Sequence, residues 1–133
     1  PLVYGRVHGK PFFGLPGNPV SSMVSFEQFV RPSLLKMMGH KNLFRRTIKV
    51  TLEEDITKTQ GLTHFIRACV DWQDGRYRIV TTGDQSSGIL KSMVKANGLI
   101  VLPEDATAVK KGEEVTVQLI DQTLYSTPEP HYL

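Results

Sequence analysis

The stretch Gly14-Leu15-Pro16-Gly17-Asn18-Pro19-Val20-Ser21-Ser22 constrains this chain more than any other. Two prolines bracket a Gly-Asn pair. Proline fixes φ and glycine opens the positive-φ region, so the backbone is confined to a stiff turn. Asn18 is a natural helix N-cap, because its side-chain oxygen can accept from N–H groups of the first turn. Pro19 then takes the first helical position, where a missing N–H costs nothing. The apolar pair Phe12-Phe13 precedes this turn, and a helical pattern follows it. The stretch reads as a strand, a rigid elbow and a helix N-terminus whose free donors attract phosphate or another anion. The plainer reading is a strand-to-helix connection in an α/β layer that binds nothing.

The helix is expected over Pro19 to Met38, with Val20, Met23, Val24, Val30, Leu34, Leu35 and Met38 near helical spacing. Phe26 and Phe29 broaden its apolar face, so cover on more than one side is expected. Pro32 should kink the helix or split it in two, and Gly39 is a natural residue just past its end. Upstream, residues 2–8 read as a short strand, Gly9-Lys10 as a turn and Pro11 to Leu15 as a returning strand. Pro11 marks that second strand as an edge or places its start there. One hairpin and one helix cannot bury a core of their own. Residues 1–39 therefore read as the last part of a larger α/β domain, and the helix face needs cover from the second domain or another copy of the chain. Self-association is the expectation, a dimer in the simplest case. The chain begins at Pro1 rather than at a methionine, which reads as a fragment, a processed product or a trimmed chain.

After a polar linker over residues 40–45 the period changes to two. Ile48, Val50 and Leu52 alternate with Thr47, Lys49 and Thr51, the signature of a half-buried strand. Residues 53–61 are polar and read as a loop. Thr63 to Gln73 and Arg76 to Thr82 read as two strands joined by Asp74-Gly75, the best turn signal in the chain. Residues 87–96 suggest a short helix capped by Asn97-Gly98. Leu99 to Leu102 and Glu114 to Ile120 read as two further strands. The tail, residues 122–133 with Pro128 and Pro130, is expected to be loose. Residues 46–121 thus form a small all-β unit of five or six strands, closed as a barrel or stacked as a sandwich. The fold class is α+β: a remnant of an α/β domain, then an all-β domain.

Composition narrows the function. With 133 residues, 40% hydrophobic and 22% charged, the chain has the make-up of a soluble globular protein. No apolar run approaches the ~20 residues that span a bilayer, and no signal-peptide pattern is present. The net charge of +3 is spread along the chain, and Arg45-Arg46 and Lys110-Lys111 are its only adjacent basic pairs, too few for a nucleic-acid footprint. Cys69 is the single cysteine, so no intrachain disulfide forms, which fits a reducing compartment such as the cytoplasm. Cys69 reads as a core residue rather than a nucleophile. His8, His40, His64 and His131 are far apart and lack metal-ligand spacing. The acidic pairs Glu53-Glu54, Glu113-Glu114 and Glu104-Asp105 read as solvated. No catalytic constellation and no metal site emerge from the residues.

The run from Gly9 to Ser22, Gly-Lys-Pro-Phe-Phe-Gly-Leu-Pro-Gly-Asn-Pro-Val-Ser-Ser, closely resembles a segment of the MoeA/gephyrin E-domain family, the molybdopterin molybdenumtransferases. A second block matches too: Thr82-Gly83-Asp84-Gln85-Ser86-Ser87, then Leu90-Lys91-Ser92-Met93 and Ala96-Asn97-Gly98-Leu99-Ile100-Val101-Leu102-Pro103. The two blocks have the family's order and spacing, and the resemblance covers residues 1 to about 121. It implies a molybdopterin-binding-like α/β domain ending near residue 39 and a β-barrel-like C-terminal domain. It implies insertion of molybdate into adenylylated molybdopterin, with magnesium and release of AMP. The family's acidic, Gly/Ser-rich and lysine motifs lie upstream of Pro1, so this chain alone is expected to be inactive and to hold no cofactor tightly. Carried over as substrate-binding residues are Pro16, Gly17, Asn18 and Pro19, which shape the pocket beside the pterin, and Ser92, which faces the active-site cleft. For Ser92 the plainer reading is a hydroxyl on a helix surface.

Three readings stand at this point. The chain is the C-terminal part of a molybdenumtransferase. Or it is an oligomeric binding or scaffold module, as the gephyrin E domain resembles this family and also clusters receptors. Or it is a β-domain that binds an unrelated anion at the elbow.

Overall fold

A computed structural model describes residues 2–86 and 90–121. The order of elements is β1 (Val3–Val7), β2 (Lys10–Gly14), α1 (Pro19–Ser25), a π-helical turn (Phe26–Val30), α2 (Arg31–Met37), β3 (Thr47–Leu52), β4 (Ile56–Thr57), β5 (His64–Gln73), β6 (Arg76–Thr81), α3 (Leu90–Lys95), β7 (Gly98–Leu102), β8 (Ala108–Val109) and β9 (Glu114–Leu119). The fold is α+β, as expected. The described residues divide into two compact units: one runs to Phe44 and takes in Ser86 and Leu90, the other holds Arg45–Gln85 and residues 91–121.

In the first unit β1 and β2 pair antiparallel, Val7 opposite Lys10 and Val3 opposite Gly14. The two-residue turn is His8-Gly9, one residue before the expected Gly9-Lys10. His8 and Gly9 have φ of 48° and 77°. Positive φ at both central residues is the turn that matches strand twist, and Lys10 is thereby free to open β2.

Pro32 splits the helix, and the split takes a specific form. A proline four residues beyond Gln28 removes an N–H and crowds that residue's carbonyl. The ladder responds by widening one turn, so that the Arg31 N–H bonds to the Phe26 carbonyl in a π-type step. Pro32 then sits buried at the start of α2. The Ser33 hydroxyl donates to the Phe29 carbonyl at 2.7 Å, satisfying an acceptor in this segment. At the far end Gly39, at φ 83°, lets the His40 N–H bond back to Leu35 and its own N–H to Lys36, both carbonyls left open by the last turn.

The second unit is a closed five-stranded barrel in the order β3-β6-β5-β7-β9. Alternation puts Val50, Leu52, Ile66, Ala68, Val70, Ile79, Ile100, Leu102, Val115, Val117 and Leu119 inside. Closure rests on a short parallel pairing, Thr51 with Arg78 and Leu52 with Ile79. The Asp74-Gly75 turn forms as read, both residues at positive φ. The polar stretch read as one loop contains β4, which pairs antiparallel with β8. Two-residue strands carry too little alternation to be legible. The expected tail and residues 87–89 of the expected helix lie outside the described residues. No helix among the described residues is long and apolar enough to cross a membrane.

Two details correct the sequence reading. Cys69 is half-buried on the outer face of β5, not in the core, and its Sγ donates to the Lys95 carbonyl at 3.1 Å. Strand parity decides this, since Ala68 and Val70 take the inward positions. Asn97-Gly98 does not cap α3 through a left-handed glycine. Gly98 begins β7, and a Cβ there would lie 2.8 Å from Val117 Cγ1 and 3.3 Å from Val70 Cγ2. The glycine is required by close packing across the barrel interior.

Candidate functional site

The elbow is built by internal hydrogen bonds. Asn18 sits in extended conformation before α1, and its Oδ1 accepts the Ser21 N–H at 3.4 Å. The Ser22 N–H bonds to the Asn18 carbonyl at 2.9 Å. The Ser22 hydroxyl reaches back to the Pro16 carbonyl. Pro16, Gly17, Asn18 and Pro19 are thus drawn into one stiff turn that their own helix clamps. The bonding also narrows the expected anion site. Pro19 has no N–H, Ser21 donates to Asn18, and the first turn carries no basic or acidic side chain. The helix end by itself is a weak anion trap.

Ser92 lies in α3, in the second unit, and is buried at 4% exposure together with Met93 and Ala96. At that exposure the hydroxyl is neither a helix-surface group nor open to a ligand, which corrects both readings of it. The elbow residues and Ser92 belong to different units.

The second motif block does something that sequence reasoning missed. Thr82, Gly83, Asp84 and Gln85 close over Arg67 on β5. The Gln85 side-chain amide accepts the Arg67 N–H at 2.9 Å and donates to the Arg67 carbonyl at 3.1 Å. Thr82 donates to that same carbonyl through its N–H at 2.9 Å. The Arg67 guanidinium donates to the Asp84 carbonyl at 3.2 Å. Arg67 is 3% exposed although it points away from the barrel interior. Burial lowers its pKa from the ordinary arginine value, and the Asp84 carboxylate opposes that shift. Register places Arg67 beside Leu99 and Leu99 beside Gln118, a row across β5, β7 and β9 that is shielded from water. A buried arginine is rare unless paired. The only sequence signal for it was a lone charge inside the apolar run from Phe65 to Val70.

Asn97 repeats the device on the other edge of β5. Its amide accepts the Val70 N–H at 2.7 Å and donates to the Val70 carbonyl at 2.8 Å. Two side-chain amides thereby continue a ladder where β6 and β7 have ended. Both belong to the second motif block, so that block is first of all a frame around β5.

Among the described residues no group of three or more His, Cys, Asp or Glu stands together to hold a metal ion. Glu53 and Asp55 near the barrel end are engaged with lysine and arginine instead. Asp55 accepts from Lys110 Nζ at 3.0 Å and from the Lys111 N–H at 2.8 Å, and Glu53 lies 3.5 Å from Arg76 and 3.8 Å from both Arg78 and Lys111.

Comparison with known proteins gives the relationship. The family model described as the MoeA C-terminal region (domain IV) matches residues 49–120. Molybdopterin molybdenumtransferase 2 of Mycobacterium tuberculosis (strain H37Rv) is 39% identical over 117 residues, which is 88% of this chain and 28% of that protein. The molybdopterin molybdenumtransferase of Staphylococcus aureus (strain COL) is 36% identical over 115 residues, 86% of this chain and 27% of that protein. The molybdopterin biosynthesis MoeA protein from Pyrococcus horikoshii OT3 aligns with a TM-score of 0.65 at 31% identity, over 87% of this chain and 29% of that structure. The chain spans little more than a quarter of the length of these curated relatives. This chain belongs to the MoeA family, and its residues 49–120 are that family's C-terminal region.

Proposed function

We propose that the chain is the C-terminal portion of an enzyme that inserts molybdate into adenylylated molybdopterin with release of AMP, and that it is inactive alone. Residues 1–39 complete an α/β molybdopterin-binding domain, 40–45 link it to the barrel, and 46–121 form the C-terminal domain. The observation that carries the reading is that both family-like blocks are built as rigid frames: the elbow locked by Asn18 and Ser22, and the Thr82–Gln85 turn locked on Arg67. Rigid walls with few charges of their own suit a ligand whose anionic groups are neutralised elsewhere in the molecule. In this reading Pro16, Gly17, Asn18 and Pro19 border the pterin. Magnesium and molybdate are held by residues outside this chain, which acts in the cytoplasm as part of a dimer.

The test is a chimera that joins the preceding part of the M. tuberculosis relative to this chain. Calorimetry should show binding of adenylylated molybdopterin by the chimera and none by this chain. Pro16→Ala in the chimera should weaken binding while leaving the thermal midpoint in place. A chimera that folds and binds no molybdopterin nucleotide would overturn the proposal.

A further inference from the structure

We propose that the mouth of the barrel, where β4 meets the ends of β5 and β6, binds a small organic cation: a primary ammonium or guanidinium group on a short aliphatic stem. A cavity of about 490 Å³ opens there, wholly within the second unit. Its walls follow from strand register. His64 stands opposite Leu102 and Thr81 opposite Ala68, and both of these partners belong to the barrel core. Directly opposed residues on paired strands share a face. His64 and Thr81 therefore turn polar groups toward the interior side, and both line the cavity together with buried Ile56 and Ile66. At this end the alternation that fills the rest of the barrel with apolar side chains gives way to an apolar base under a polar rim. That is the form of a ligand site in a barrel mouth.

Charge selects the occupant. The charged residues at the cavity are Glu54, Asp55 and Lys58. Lys58 spends its ammonium on three backbone carbonyls, those of Leu62 at 2.8 Å and of Thr59 and Glu104 at 3.3 Å. An ammonium has three donors, so Lys58 brings only its stem to the wall. Asp55 is taken up by Lys110 and the Lys111 N–H. Glu54 differs from both. It is half-buried, one of its oxygens accepts the Thr81 N–H, and it has no ion-pair partner among the described residues. A half-buried carboxylate with acceptor capacity left over is completed by a cationic donor. The hydroxyls of Thr57 and Thr81 and the imidazole of His64 stand around the same cavity to take the cation's other N–H groups, and Ile56 and Ile66 receive its stem. No group of three metal-ligating side chains stands together among the described residues, so the donor set suits an organic cation and not a bare metal ion.

Amide NMR of this chain tests the site. Titration with n-butylammonium should shift the amides of Glu54, His64 and Thr81 together along one saturating curve. n-Butanol, the neutral isostere, and butyrate, an anion of similar length, should leave them in place. Glu54→Gln keeps an oxygen for the Thr81 N–H and removes the charge. Its thermal midpoint should therefore hold while butylammonium binds about tenfold more weakly. A Gly-Lys-Gly peptide, acetylated and amidated at its ends, separates the two sources of such a cation. Binding at least as tight as that of butylammonium assigns the site to a lysine of a polypeptide, and weaker binding assigns it to a free amine. No saturable shift with butylammonium, an equal response to butanol, or an affinity unchanged in Glu54→Gln would overturn the proposal. None of these readouts involves molybdopterin, so failure here is separable from failure of the proposed activity.

Discussion

Gly98→Ala should destabilise the barrel, and the structure gives the size of the effect. A Cβ built at Gly98 falls 2.8 Å from Val117 Cγ1 and 3.3 Å from Val70 Cγ2. Both valines are nearly inaccessible, at 0% and 3% exposure, and both belong to the barrel core. The first contact is closer than real Cβ atoms come, so a valine must leave its rotamer or two strands must part. Overpacking of this kind costs about 1–3 kcal/mol. Gly98 is not in the positive-φ region, so alanine meets no backbone strain and recovers about 0.4–1 kcal/mol by restricting the unfolded chain. The net loss is about 1–2 kcal/mol, which lowers the thermal midpoint of a barrel this size by about 10 °C. Urea unfolding followed by fluorescence of Trp72, the only tryptophan, packed edge-on to Tyr77 at 4.7 Å, provides the assay. Val117→Ala alone should also destabilise, by about 2 kcal/mol as a large-to-small core change. The double variant should lose less than the sum of the two, by at least about 0.5 kcal/mol, because the truncated valine makes room for the new methyl. If Gly98→Ala unfolds at the unaltered urea midpoint, or the two changes simply add, the close-packing argument is wrong.

Other outcomes follow from the same geometry. Asn18→Ala removes the cap on Ser21 and should cost about 1 kcal/mol in denaturant unfolding, while Asn18→Gly should cost only a few tenths. Asn97→Ala leaves the Val70 N–H and carbonyl unpaired and should cost about 2 kcal/mol, with amide exchange at Val70 accelerated. Asp55 is held below the ordinary carboxylate pKa of 3.8 by the Lys111 N–H first and the Lys110 ammonium second. The folded state therefore keeps this carboxylate ionised at a pH where the unfolded chain protonates it. Its stabilisation is present above the ordinary carboxylate pKa and is lost as the pH falls through the lowered one. Asp55→Asn should flatten that part of an acid-unfolding curve, and a curve parallel to that of the unaltered protein would discount the Asp55 contacts.

Much of the barrel was legible because its strands obey one rule at a time. Ile48, Val50 and Leu52 alternate cleanly, Asp74-Gly75 announces its turn, and Leu99 to Leu102 is apolar throughout. What escaped was decided by long-range partners. The closing contact of Thr51 and Leu52 with Arg78 and Ile79 involves two residues on each side and leaves no pattern in either strand. β4 and β8 are too short to alternate. Pro32 foretold a broken helix, but only the crowded Gln28 carbonyl explains why the break is a widened turn rather than a sharp kink. His8 took a positive φ that sequence alone assigned to Gly9-Lys10.

The candidate site was legible in part for the same reason. Pro16, Gly17, Asn18 and Pro19 are neighbours in sequence and form one local turn, so their grouping could be read directly. Arg67 could not. Its partners lie 15 to 18 residues away, and a charge amid Phe65, Ile66, Ala68 and Val70 reads as an outward-facing interruption. Asn97 looked like a cap because it precedes a glycine, when its amide in fact serves as an extra rung beside Val70.

The most direct measurement is AMP release on adding molybdate and magnesium to adenylylated molybdopterin, comparing this chain with the chimera that carries the preceding part of the M. tuberculosis relative. The account predicts release by the chimera, none by the chain, and loss of most of the chimera's activity on Pro16→Ala. A chimera that binds the nucleotide yet releases no AMP, or an isolated chain that releases it, would contradict the assignment of this chain as the non-catalytic C-terminal portion of the enzyme.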